Sequence, residues 1–465
     1  MTATSPTTEQ AQQAVAQTGA GVVSSVNAKA IEIKGLNVGD TFIAPASLTT
    51  EAKAISNGVA GNGSALSELH AFGLTLEDLA DESTGEAVRS ALSTGTGANL
   101  SSTVKVTAES SSSSVDGSTS ARTQVDTAGV QADQARVELG GTATVAASVV
   151  LDAGATASAV SDSANAYLGI SQASGLDFSG GDSGDVRFEV DNNFIASGVV
   201  SADLLSAAES AADDANATAE INRLLGADVE QLLVGGSSRI DGNTNVTLGI
   251  SSTSQTGASS SVANAATILG LNLQEAAGSG DLNGVGGALL LNNKSDLNLG
   301  QTSTSSSGDS TASAEFNTVG GINLGDVDTG AQLVANTNTT VNLDQSAQSS
   351  GGDVEVATQV NNIYGLQQEG LLETGGSTTI TSNLEVESKR VAQAVAGAAS
   401  SDYIGADQVG ISLGVQESAG NVQLIVNNFL GSESLASSVL ATASSQDVQA
   451  FIAGIEAESL SSAGT

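Results

Sequence analysis

From Thr340 to Leu366 the side chains alternate in character with a period of two: Val341, Leu343, Gln345 and Ala347, then Val354, Val356, Thr358 and Val360, with Gly351-Gly352-Asp353 between the runs. Strand side chains point to opposite faces in turn, and glycine tolerates the backbone of a tight turn, so this stretch predicts two half-buried strands joined as a hairpin. The unit recurs. Aligned on the apolar-x-apolar pair that opens its first strand, copies start at Val104/Val106, Val186/Phe188, Val246/Leu248, Leu297/Leu299, Val341/Leu343, Leu384/Val386 and Val422/Leu424, with a looser copy near Val145. The starts are roughly 40 to 60 residues apart, the spacing of tandem arrays.

A second anchor follows most of these starts. A glycine beside aliphatic residues appears as Ala128-Gly129-Val130, Leu168-Gly169-Ile170, Leu269-Gly270-Leu271, Gly320-Gly321-Ile322, Tyr364-Gly365-Leu366 and Ile404-Gly405. The copies at Val186 and Val422 lack it and resemble each other, VRFEVDNNF against VQLIVNNFL. Serine-rich runs (Ser110 to Ser114, Ser251 to Ser261, Ser303 to Ser313) fall inside the repeat, where small hydroxyl side chains can line a strand face and let a neighbouring sheet approach. Asn pairs recur after an apolar residue at Asn192-Asn193, Asn292-Asn293, Asn361-Asn362 and Asn427-Asn428; they read first as turns, and second as amide ladders between stacked units.

The expected fold is therefore mainly all-β: an elongated tandem β-hairpin array, β-solenoid-like or a stack of β-sandwiches. Residues 1–92 read as a small mixed N-terminal cap or attachment domain, with amphipathic fragments between Leu66 and Leu92; 93–235 and 236–465 read as the two halves of the array. Two segments follow helical spacing, about 202–225 (Leu204, Leu205, Ala208, Ala211, Ala212) and about 445–460 (Val448, Phe451, Ile452, Ile455), and are predicted as helical covers.

Composition agrees with thin layers of small side chains. Of 465 residues, 2% are aromatic, none is Trp and only two are Pro; a compact enzyme of this size would pack many more rings. With 13 Lys and Arg against 51 Asp and Glu, the net charge is −38, which excludes nucleic acid as a partner for want of a basic patch. No apolar run approaches the roughly 18 residues of a membrane span. Cysteine is absent, so no disulfide or thiolate site exists. The stretch MTATSPTTEQ has neither a basic nor an apolar region, so no Sec signal is read from it; an extracellular or cell-surface protein of this kind would leave by a non-Sec route, lose a leader, or travel in a virion.

Candidate chemistry is sparse. Gly181-Asp182-Ser183-Gly184 has the letters of the trypsin-like nucleophile loop, but the single histidine, His70 in SELHAF, does not resemble that family's histidine motif, and no catalytic residue is assigned. Asp-rich, glycine-containing segments offer oxygen ligands at short spacing, which makes Asp177, Asp182 and Asp185, and Asp241, Asn243 and Asn245, candidate Ca²⁺ ligands. The second group lacks the sixth-place glycine and distant glutamate of a complete calcium loop, and solvated turns use the same residues. GSGDLNG at 278–284 departs from the dinucleotide fingerprint in spacing. The expected function is an extracellular structural protein, not an enzyme, that self-assembles as a homo-polymer or homo-oligomer into a filament, matrix fibre or surface layer. The alternatives are a trimeric virion appendage, such as a tail or head fibre, and a calcium-dependent adhesin contacting cell-surface or matrix components.

Overall fold

The computed structural model describes residues 8–16, 21–58, 61–80, 87–133, 135–179, 187–273, 283–438 and 444–462. Nearly all of these are in strands, and none is helical. One sheet contains ten strands, all parallel: Thr8–Ala16, Phe42–Gly58, Gly97–Ser114, Thr142–Ala159, Phe194–Ser210, Ser238–Ser254, Leu289–Ser305, Leu333–Ser349, Thr378–Ala394 and Val422–Ser438. After each of these the chain turns and runs back through a second parallel sheet, in Gly21–Lys34, Gly63–Glu77, Thr119–Asp133, Ala164–Phe178, Ala215–Val229, Ser259–Leu273, Ser310–Leu324, Val354–Thr374, Ala399–Ser418 and Ser444–Ser462. Short strands such as Arg136–Leu139, Leu232–Val234 and Val327–Thr329 form a narrow third side, and Val354–Thr374 and Ala399–Ser418 run through both the second and third sides. Each pass round these sides is one coil, and the coils stack like a solenoid.

The two strands of a predicted hairpin do not pair with each other. Leu333–Ser349 pairs with Thr378–Ala394, and Val354–Thr374 with Ala399–Ser418, both in parallel. Each half-unit is thus one side of an arch whose hydrogen bonds go to the neighbouring coil. Period-two alternation requires only that one face be buried, which a parallel arch satisfies as well as a hairpin does.

Neither predicted helix forms. Residues 202–225 are the end of Phe194–Ser210, a turn at Ala211–Asp214, and the start of Ala215–Val229; their buried Ala202, Leu204, Ala208, Ala217 and Ala219 follow a period of two within each strand. Residues 445–460 lie in Ser444–Ser462, which pairs in parallel with Ala399–Ser418. Alanine and leucine favour helix weakly, and the pairing offered by the neighbouring coil overrides that preference. The fragments between Leu66 and Leu92 are likewise strand where described, and Gly63–Glu77 pairs with both Gly21–Lys34 and Thr119–Asp133, so the same parallel pairing extends through this region.

Successive coils match residues 40 to 56 apart. The interior holds two main apolar clusters. One gathers Val104, Val149, Leu204, Leu248, Val341 and Ile363, the other Phe42, Leu100, Leu176, Leu271, Leu333 and Ile411. Between them the coil narrows to a waist, where the second sheet carries Gly73, Gly129, Gly175, Gly226, Gly270, Gly321, Gly365 and Gly410 against the first sheet. A Cβ at Gly129 would sit 2.7 Å from the Gly175 carbonyl oxygen and 2.8 Å from Ala147 Cβ, so only glycine fits. The sequence anchor was right at Gly129, Gly270, Gly321 and Gly365 and one strand pleat or more off at Gly169 and Gly405, where Gly175 and Gly410 hold the column.

Candidate functional surfaces

The first sheet presents its polar residues outward in columns, because parallel in-register pairing sets each side chain directly above its equivalent in the next coil. These columns are hydrogen-bonded. Asn336 Nδ2 donates to Asn292 Oδ1 at 3.1 Å, and Asn292 Nδ2 donates to Asp241 Oδ1 at 2.7 Å. Asn342 to Asn298 (2.8 Å), Asn427 to Asn383 (2.8 Å) and, on the second sheet, Asn361 to Asn317 (3.1 Å) repeat the arrangement. Of the four Asn pairs singled out in the sequence, only Asn192-Asn193 lies in a turn; the other three are within strands. Ladders, the second reading of those pairs, are what this geometry builds.

The calcium candidates separate. Asp182 and Asp185, with the whole of Gly181–Gly184, lie outside the described residues, as does most of 278–284. Asp241, Asn243 and Asn245 lie in the strand Ser238–Ser254, not in a loop, two residues apart on its outer face. Asp241 is held by the Arg239 Nε at 3.0 Å and by Asn292. Asp177 lies on the second sheet, almost fully buried, where it accepts bonds from Gln172 Nε2 and Ser179 Oγ and stacks on Asp228 of the next coil. Asp228 is fully buried, paired with the Arg223 guanidinium, and accepts a bond from Asn272 Nδ2 at 2.8 Å. Among the described residues no group of three or more His, Asp or Glu side chains is placed to hold a metal ion.

Other polar groups are paired across coils. Asp126 approaches the half-exposed His70 at 3.4 Å; burial pushes its carboxyl up, against the pull of that histidine. Arg122 lies over the Tyr167 ring at 4.7 Å, and the Tyr167 hydroxyl donates to Glu220 at 2.5 Å; desolvation first, then Glu220, raises the phenol to about 12. On the first sheet, Asp152 and Asp203 stack in register, and burial, Asp203 and Glu109 together raise the Asp152 carboxyl. Among the described residues one cation is buried: Arg390 is fully enclosed, faces the Tyr403 ring at 4.8 Å, bonds to Ser388 and Ser432 Oγ, and has an unpartnered Nε. Its column carries Gln301 and Gln345, whose amides bond at 2.7 Å inside the coil.

Sequence reasoning missed the serines that fasten the arches. Ser210, Ser254, Ser305 and Ser349 each end a first-sheet strand. Each Oγ donates to a turn carbonyl of the preceding coil (Asp162, Asp213, Gly257, Gly308; 2.6–2.8 Å). Each also accepts an N–H of its own turn three residues on, at 2.8–3.0 Å. The sequence signal was a serine just before these four polar turns, at the end of each preceding alternating run. A shallow groove crosses four successive coils on the narrow side, lined by Val190, Leu233, Val285 and Asp328. No family model matches the sequence, and no curated protein or solved structure matches it.

Proposed function

We propose that this chain is an extracellular structural protein that self-assembles into a filament, matrix fibre or surface layer through contacts between strand edges and stacked coils. The observation that carries this reading is the partly uncovered apolar interior of the two extreme coils among the described residues, more so at the last than at the first. Leu424, Val426 and Leu430 on the last coil occupy interior columns that are buried in the coils before it, yet here are half-buried; on the first coil Ala30, Ile31, Leu36 and Val38 are half-buried while Val22, Val26, Ala28 and Ile33 stay buried. On the last strand of the first sheet Ile425, Phe429 and Leu435 are also exposed, Phe429 by 54%. Unpaired strand edges above an open core are the surfaces on which another strand adds. In-register columns, amide ladders and arch serines together favour stiffness over motion.

Light scattering and negative-stain imaging of the purified chain test the proposal. Expected is growth with concentration and no fixed stoichiometry, in fibres whose axial repeat is about 48 Å, ten strands at the usual strand spacing. A monomer at every concentration, or a closed trimer, would overturn it.

A further inference from the structure

Resting on that reading of self-assembly, we infer that a second copy adds head to tail in the register of the internal coils, and that the contact is fixed by Lys34 of one copy and Glu458 of the next. The register can be followed through the molecule. The second-sheet column that begins at Glu32 passes through Thr75, Asp177, Asp228 and Asn272 and arrives at Glu456. One residue earlier, the interior column runs from Ile31 to Ile455, which is 46% exposed. Two residues beyond Glu32 and Glu456 stand Lys34 and Glu458. Continuing the same step from one copy to the next sets Ile31 on Ile455, Glu32 on Glu456 and Lys34 on Glu458, with Lys29 and Lys34 on either side of the two stacked carboxylates to offset their repulsion.

The charge pattern fits this occupant. Residues 391–465 contain no Lys or Arg, so the coil of Val422–Ser438 and Ser444–Ser462 is purely acidic, with Glu433, Asp447, Glu456 and Glu458. The opposite coil carries Lys29 and Lys34, both partly exposed, and already uses Lys34 in this way: its Nζ lies 2.6 Å from Glu77, the in-register residue of the neighbouring internal coil. Glu458 of another copy would complete an alternating Glu–Lys–Glu column. Two acidic ends placed together repel, so tail-to-tail pairing is disfavoured and the contact is heterologous, which grows without closing.

The absence of cysteine makes the register directly testable. In the full-length variant E32C/E456C, the new thiols of neighbouring copies lie on adjacent parallel strands about 4.8 Å apart, within disulfide reach, whereas within one chain they are at opposite ends. Expected on mild oxidation is a denaturant-resistant ladder of multimers. In otherwise unaltered protein, E458K is expected to raise the concentration for half-assembly roughly tenfold and E458Q about two- to fivefold. Fibres that form without cross-linking overturn the register. Cross-linked fibres indifferent to E458K overturn the role of the charge pair. Failure to form fibres under any condition overturns self-assembly itself, a separate result from the other two.

Discussion

Replacing Gly226 by alanine probes the waist where the two sheets meet. A Cβ there would lie 2.5 Å from the Gly270 carbonyl oxygen and 2.8 Å from the Asn243 carbonyl oxygen, about 0.9 Å and 0.6 Å inside the 3.4 Å at which ordinary contact begins. Both obstacles are backbone, and both belong to ladders that hold one coil on the next, so neither can rotate aside. Relief requires the strands to part by a sizeable fraction of their usual separation of about 4.8 Å, which stretches ladder hydrogen bonds worth about 1 kcal/mol each. With an overpacking cost of about 1–3 kcal/mol, G226A should lose about 2–4 kcal/mol. Gly300 is the control: it lies on the outer face of the first sheet, and a Cβ there meets nothing within 4 Å. G300A should be neutral or slightly stabilising, because alanine restricts the unfolded chain. Urea unfolding followed by circular dichroism gives the two differences, and hydrogen exchange of residues 215–229 and 259–273 shows whether the damage is local, as a stack of nearest-neighbour units requires. If G226A and G300A are equally stable, the two sheets do not approach as described and the waist is wrong.

Three further outcomes follow from individual side chains. S254A removes a hydroxyl that joins the Asp213 carbonyl to the Gly257 N–H; a loss of about 1–2 kcal/mol in urea unfolding is expected, with faster exchange at Gly257, and unchanged exchange there would dismiss the arch fastening. R390M should be close to neutral or stabilising in thermal unfolding, because Arg390 is buried without a carboxylate partner and burial already lowers its pKa; a loss above about 2 kcal/mol would mean that its serine and Tyr403 contacts outweigh desolvation. The Asp152 carboxyl is raised in the folded state, so the folded form binds its proton more readily than the unfolded chain and this site costs stability above its folded pKa. D152N should therefore melt higher than the parent at pH 7, with the difference closing as pH falls through the carboxylate range; a gap that persists at low pH would rule out charge as the cause.

Much of the architecture was readable along the chain, for a specific reason. A single coil cannot bury its own apolar face, so every coil must repeat the same alternation, and the repeats at Val246, Leu297 and Val341 fall in one interior column. The pairing partner was not readable, since Leu343 is equally buried whether its strand bonds to Val354–Thr374 or to Thr378–Ala394. Alanine caused the errors at 202–225: Ala208, Ala211, Ala212 and Ala215 mimic a helical stripe only when read across a turn. Asp241 and Asn243 carry turn chemistry in their composition, but their neighbours in the stack, Asn292 and Lys294, hold that segment as a strand. Gly175 and Gly410 escaped notice because Gly169 and Gly405 offered similar surroundings in a nearby position.

The shared columns also govern how such a chain can change length. Removing the 44 residues that separate Asn292 from Asn336 would bring equivalent side chains together and leave every glycine, serine and asparagine over its counterpart. Loss of one residue inside a strand would instead turn the rest of that strand inside out, sending aliphatic groups to water and carboxylates inward. Whole turns are thus the natural quantum of insertion and deletion here, and the height of the molecule can be edited in steps of a single strand's width while its cross-section stays the same.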